Sequence, residues 1–173
     1  MNLQIDSTTE KSEIFDQIAS ELDAMGFKID KQDETRPWGG FFVLDEVQAP
    51  AFASIYFPHL EMSDIQITNK LSPKILVVAP HKRLSWQYHF RRAEIWKVIA
   101  GTTVGVKISD TDEESKEVKV LESGSFIQMD KGERHRLIGL DGWGVVAEIW
   151  QHTDPENPSD EDDIVRLQDD FGR

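Results

Sequence analysis

Residues 85–96, SWQYHFRRAEIW, decide how the chain is read. Strand periodicity places Ser85, Gln87, His89 and Arg91 on one face and Trp86, Tyr88 and Phe90 on the other. A half-buried strand usually pairs a greasy face with a wet one. Here the polar face has the residue types of a chemical site, and the opposite face is aromatic enough to need a covering surface.

Outward from this stretch the chain is punctuated as short β segments. They are expected at 40–46, 53–57, 63–67, 74–79, 84–90, 94–100, 102–109, 117–121, 125–129, 134–138 and 143–151. KILVVA and GVVAEIW are apolar and β-branched, and turns fall at AGTT, ESGS, DKGE and LDGWG. Many short strands without alternating helices predict an all-β, closed or sandwiched antiparallel architecture. The one substantial helix is expected at 12–25, where Ile14, Phe15, Ile18 and Leu22 recur at helical spacing and Gly26 follows. A turn-rich link, DKQDETRPWGG, leads from it into the β region, so the organisation read is a helical extension, 1–35, and a β domain, 36–173. The Pro-rich acidic stretch HTDPENPSDEDD is expected to run over the surface.

The net charge of −13 argues against nucleic acid and anionic membrane as partners. With no cysteine, thiolate catalysis, disulfides and Cys-type zinc sites are excluded. No apolar run reaches the length of a membrane span, and the N-terminus lacks the order of a signal peptide, so a cytoplasmic protein is expected. Against this acidic background Lys82, Arg83, Arg91 and Arg92 form a local basic island.

Gln87 and His89 lie two apart, Glu94 follows, and His135 stands on a later segment after a turn at Gly132. Neutral imidazoles, a carboxylate and an amide oxygen suit a divalent first-row metal, zinc being the first expectation. Guanidinium groups match phosphate, so the basic island suggests a phosphate clamp of Arg91, Arg92, Arg83 and Lys82. The plainer reading is also open: Lys82 and Arg83 as solvated turn residues, Arg92 in a surface ion pair, and Arg36 and Trp38 as a structural corner.

Here the chain resembles a family. Gly124, Gly132 and His135 match the second cupin motif, with Asp130 where proline is usual, and Glu94 and Gly101 match the end of the first. RPWGGFFVLDE, KILVVAPHKRLSWQYHFRRAEIW, KGERHRL and EDDIVRLQDDFGR resemble, in order, the type II phosphomannose isomerase branch. That branch also forms the C-terminal domain of bifunctional mannose-1-phosphate guanylyltransferases. The likeness covers about 36–173, and the short region before it has no Gly-rich nucleotide-binding loop.

The resemblance implies a double-stranded β-helix jelly roll (cupin) with a metal inside the barrel, held by Gln87, His89, Glu94 and His135. It implies isomerisation of mannose 6-phosphate to fructose 6-phosphate. Arg136, directly after His135, and Lys74, aligned with a family lysine, are the candidate catalytic residues; Arg166 is expected to close one end of the pocket. The chain departs from the family at Phe90, Arg91 and Ile95, where relatives carry histidines, and at His81, where they carry a turn glycine. These departures keep alive a second reading, a cupin that binds a sugar phosphate or nucleotide sugar with weakened catalysis. A third is an epimerase or oxygenase using the same ligands differently, and the Gln87 ligand counts against the oxygenase. The aromatic face of 86–90 is expected to be covered by the N-terminal helix, by a second subunit in a homodimer, or by both.

Overall fold

The computed structural model describes residues 1–172. In chain order it contains α1 (Lys11–Ala24), β1 (Ile29–Asp33), β2 (Gly39–Leu44), α2 (Ala49–Tyr56), α3 (Met62–Ile65), β3 (Lys74–Val78), β4 (Trp86–Tyr88), β5 (Arg92–Gly101), β6 (Val104–Ser109), β7 (Lys119–Leu121), β8 (Phe126–Met129), β9 (Arg134–Gly139), β10 (Gly144–His152) and β11 (Val165–Gln168). Two antiparallel sheets form, in the orders β1-β2-β3-β10-β5-β8 and β11-β4-β9-β6-β7. No helix among the described residues is long and apolar enough to cross a membrane.

The apolar runs are explained by burial on two sides. Along β10, Val146 points between the sheets, where it meets Leu76, Val78, Trp96, Val104 and Leu137. The alternate residues Val145, Ala147 and Ile149 point away from that space into a second core built with α1 and α2. A strand covered on both faces loses the polar–apolar alternation of a half-exposed one.

Helix α1 buries Ile14, Phe15, Ile18 and Leu22 on the outer face of the larger sheet. It ends where Gly26, at φ 79°, lets Phe27 N–H reach the Leu22 carbonyl (2.9 Å) and Gly26 N–H the Asp23 carbonyl (2.9 Å). The Phe15 ring stacks on Phe42 of β2 at 5.1 Å. β1, within the expected linker, pairs with β2. The boundary expected at residue 35 therefore falls inside one packed unit. Phe15→Ala should cost about 3–5 kcal/mol, seen as a lower urea midpoint with an unchanged slope. A change under about 1 kcal/mol would show that the helix is an appendage to the barrel.

The expected strands at 53–57 and 63–67 are helices. In α2, Ala49, Phe52, Ala53 and Tyr56 form a buried helical stripe, with Pro50 in the first turn; the AFASIY run also reads as a short apolar strand, which concealed it. β11 was hidden in the acidic tail and pairs with β4.

The aromatic face of 86–90 is covered differently from expectation. Helix α1 lies on the other sheet. Trp86 is fully buried, its Nε1 donating to the Asp112 carbonyl (2.8 Å), and the Arg134 guanidinium lies over Tyr88 at 4.2 Å. Only Phe90 remains largely exposed, at 61%. The Asp112 carbonyl and the Arg134 side chain thus meet two of the three aromatic residues of this face.

Candidate metal centre

At the end of β4 the chain turns sharply, and Asp163 holds the turn. Its carboxylate oxygens accept the backbone N–H groups of Phe90 and Arg91, both at 3.0 Å. Its carbonyl oxygen lies 2.6 Å from His89 Nδ1. Because the chain turns after His89, strand alternation stops there. Phe90 points to solvent, and Arg91 turns out to bond Asn157 Oδ1 (2.7 Å), the Pro158 carbonyl (3.0 Å) and Asp160 (3.0 Å). Burial would push the Asp163 carboxyl up, but Ser159, the two backbone N–H groups and Arg92 hold it below its usual value.

His89, Glu94 and His135 are all buried, and one ligand atom from each lies within 4.8 Å of the others. Glu94 Oε1 is 3.1 Å from His89 Nε2, and Glu94 Oε2 is 3.3 Å from His135 Nε2. Each imidazole turns its Nδ1 to a carbonyl, His89 to Asp163 (2.6 Å) and His135 to Glu133 (2.9 Å). A carbonyl can only accept, so Nδ1 carries the proton and a neutral ring presents a lone pair at Nε2; at His89 that lone pair is approached by Arg92 Nη2 (3.3 Å), and at His135 it has no partner. Two such lone pairs then face one carboxylate with no hydrogen between them. Glu94 Oε2 and His135 Nε2 accordingly have no hydrogen-bond partner. A divalent cation resolves that arrangement, and carbonyl-anchored imidazoles are how metal-binding histidines are oriented. Burial lowers the His89 pKa, favouring the neutral, ligating form. Burial alone would raise Glu94, but the neighbouring His89 and Arg92 side chains hold it well below the carboxylate range. Gln87 stands opposite His135 in the β4–β9 pair, its Oε1 accepting from Ser85 Oγ (2.6 Å).

The cavity beside this trio, about 250 Å³, is lined by Gln87, Arg92, Glu94 and Lys74 of the expected residues and by Arg166. Arg92 donates through Nε to Glu94 Oε1 (2.8 Å) and through Nη1 to Ser159 Oγ (2.9 Å), with its guanidinium 3.5 Å from the centre of the Trp150 ring. Lys74 Nζ lies 3.7 Å from the centre of the same ring and donates to Glu161 Oε1 (2.5 Å). Arg36 and Trp38 also line the cavity.

Four expected residues are elsewhere. Arg91 braces the 157–160 segment, as described above. Lys82 is an exposed turn residue, and Arg83 pairs with Asp170 (2.7 and 2.9 Å). Arg136 is fully buried but lies on the opposite face of β9 from His135, bonded to Glu114 (2.9 Å) and the Gln168 carbonyl (3.1 Å). Consecutive strand residues face opposite ways, so His135 and Arg136 do not share a face.

Glu148 was overlooked, because GVVAEIW reads as apolar. It is 4% exposed, lines the cavity, and accepts from Trp96 Nε1 (2.8 Å). Burial, reinforced by the Glu94 charge and opposed by Lys74 and Arg92, pushes its carboxyl up to about 7. A lone acid within an otherwise apolar strand is the signal that could have found it.

The family described as mannose-6-phosphate isomerase C-terminal matches residues 46–169. The chain belongs to that family. Mannose-1-phosphate guanylyltransferase of Salmonella montevideo is 30% identical over 119 residues, which are 69% of this chain and 23% of that protein. Mannose-1-phosphate guanylyltransferase ManC of Salmonella typhimurium is 31% identical over the same shares. The match therefore spans less than a quarter of either relative. Among solved structures, oxalate oxidase in complex with glycolate aligns with a TM-score of 0.52 at 18% identity, covering 81% of this chain and 61% of that one. KdgF from Halomonas sp. aligns at 0.51 and 12% identity, covering 76% and 91%. These two likenesses establish the cupin fold. Within this isomerase family, the departures at Phe90, Arg91 and Ile95 now have positions: Phe90 faces solvent, Arg91 braces the tail, and Ile95 lies in the core beneath α1. None of the three lines the cavity.

Proposed function

We propose that the chain interconverts an aldose phosphate and its 2-ketose, with mannose 6-phosphate and fructose 6-phosphate as the pair. The observation that carries this reading is one cavity lined both by Glu94, the carboxylate of the metal-ready His89–Glu94–His135 trio, and by a separate buried carboxylate, Glu148. Aldose–ketose isomerisation moves a proton between C1 and C2, so it needs a polarising cation and a group that takes and returns a proton.

His89, Glu94 and His135, with Gln87 beside them, would hold the metal, which would supply Lewis-acid polarisation of the sugar oxygens. Asp163 and the Glu133 carbonyl keep the imidazoles aimed. Glu148, fixed by the Trp96 N–H, holds and moves the proton between the two carbons. With a carboxyl near neutrality it can serve in both directions. Arg92 steadies Glu94 and adds positive charge where electron density builds. The walls of Trp96 and Trp150 limit water. A cavity of about 250 Å³ lies at the small end for ligand pockets, which suits one sugar phosphate better than a nucleotide sugar. Because Phe90, Arg91 and Ile95 do not line the cavity, the motive for the weakened-catalysis reading is reduced.

The chain loaded with zinc, manganese or cobalt should form fructose 6-phosphate from mannose 6-phosphate in a coupled assay. Binding of mannose 6-phosphate without product under all three metals would overturn the isomerase reading in favour of a binding protein.

A further inference from the structure

Three cations converge on one ring at the mouth of the cavity. Lys31 Nζ, the Arg36 guanidinium carbon and Lys74 Nζ lie 5.4, 5.6 and 5.8 Å from the Phe41 ring centre. All four residues line the cavity, with Lys31, Arg36 and Phe41 supplied by the β1–β2 hairpin. That hairpin precedes the family-matched segment, which begins at residue 46. Like charges set around a single ring repel one another, and an anion among them relieves that repulsion.

The anion available is Glu161. Its carboxylate contacts Lys74, a side chain only 6% exposed, while its own side chain is 68% exposed. Arg36 is braced by Asp33 (2.9 Å), and Lys31 has no carboxylate partner among the described residues. The other buried cation of the cavity, Arg92, is already committed to Glu94, Ser159 and the Asp160 carbonyl. Lys74 is therefore the buried cation whose partner can swing away into water at little cost.

We propose that Lys31, Arg36 and Lys74 form the subsite for the ligand's phosphate monoester, and that Glu161 occupies this subsite until the phosphate displaces it. This rests on the sugar-phosphate reading above and gives it a direction: the phosphate end lies at the hairpin and the reacting carbons at the metal trio. The phosphate clamp thus belongs to the β1–β2 hairpin and β3, instead of the 82–92 segment.

Isothermal titration of the full metal-loaded chain with inorganic phosphate tests the subsite. Glu161→Gln removes the competing charge at an exposed position and should tighten phosphate roughly tenfold, the scale of one charge-assisted hydrogen bond. Adding Lys31→Gln and Arg36→Gln, also on the outer hairpin, should erase that gain. Phosphate affinity insensitive to all three changes, as for coordination at the metal alone, overturns the proposal, as does no measurable binding to wild type and variants alike. Turnover of mannose 6-phosphate by wild type, run in parallel, separates the two readings. Turnover with variant-insensitive phosphate binding removes the subsite and leaves the isomerase. Variant-sensitive phosphate binding without turnover keeps the subsite and removes the isomerase.

Discussion

Replacing His135 with alanine is expected to remove both bound metal and turnover. His135 contributes one of three ligand atoms, and its Nε2 has no hydrogen-bond role to preserve. With His135 gone, His89 and Glu94 are left, and Arg92 already satisfies one oxygen of Glu94. A Lewis acid contributes several kcal/mol to stabilising developing charge, so the fall in turnover should be on the order of a thousandfold or more. Elemental analysis of the purified variant should show the metal lost, and the coupled assay should show the rate lost. His135 packs edge-on to Trp96 at 5.4 Å, so the variant's thermal unfolding should be measured alongside. A folded variant that still turns over at near wild-type rate would show that chemistry does not run through this trio. A lost rate with metal retained would shift the role of His135 from ligand to proton carrier.

The trio and the fold were not equally legible in the sequence. The jelly roll could be read because short apolar strands and glycine turns are local signals, and Gly101, Gly124 and Gly132 do adopt positive φ. Gln87, His89, Glu94 and His135 could be named because the first three fall on one short stretch. What the sequence concealed is long-range or rests on a broken period. Arg91 was placed beside His89 by alternation, but the chain turns at Phe90 around Asp163, a residue 73 positions later. Arg136 was favoured by its neighbour, although adjacency on a strand is itself a reason for the two side chains to part. Two of the mouth cations, Lys31 and Arg36, lie on β1 and just before β2, in a segment that reads as a polar link until the pairing of β1 with β2 brings it over the cavity. Glu148 was lost inside an apolar run, where its only local signal is to be the lone acid of the strand.

Glu148 is consequently the residue whose replacement discriminates most sharply within the proposed mechanism. Glu148→Gln keeps the shape of the side chain and an oxygen to accept the Trp96 N–H, so the wall of the cavity stays intact. It removes the ability to take up and return a proton, which general acid–base catalysis values at about 10²–10⁴-fold in rate. Turnover should fall by that amount while metal content and mannose 6-phosphate affinity stay near wild type. Hydrogen transfer gives a second, independent reading. Wild type should exchange the C2 hydrogen of mannose 6-phosphate with deuterated water during turnover, and the variant should lose that exchange in step with its rate. Retention of both within tenfold would remove Glu148 from the proton path. Loss of rate together with loss of metal would mean instead that Glu148 acts through the trio, as a charge that positions Glu94. The same replacement removes an acid that burial, reinforced by the Glu94 charge, pushes up, so a more stable variant with a lower rate is the expected pairing: a buried acid held at a cost to stability for the sake of the reaction.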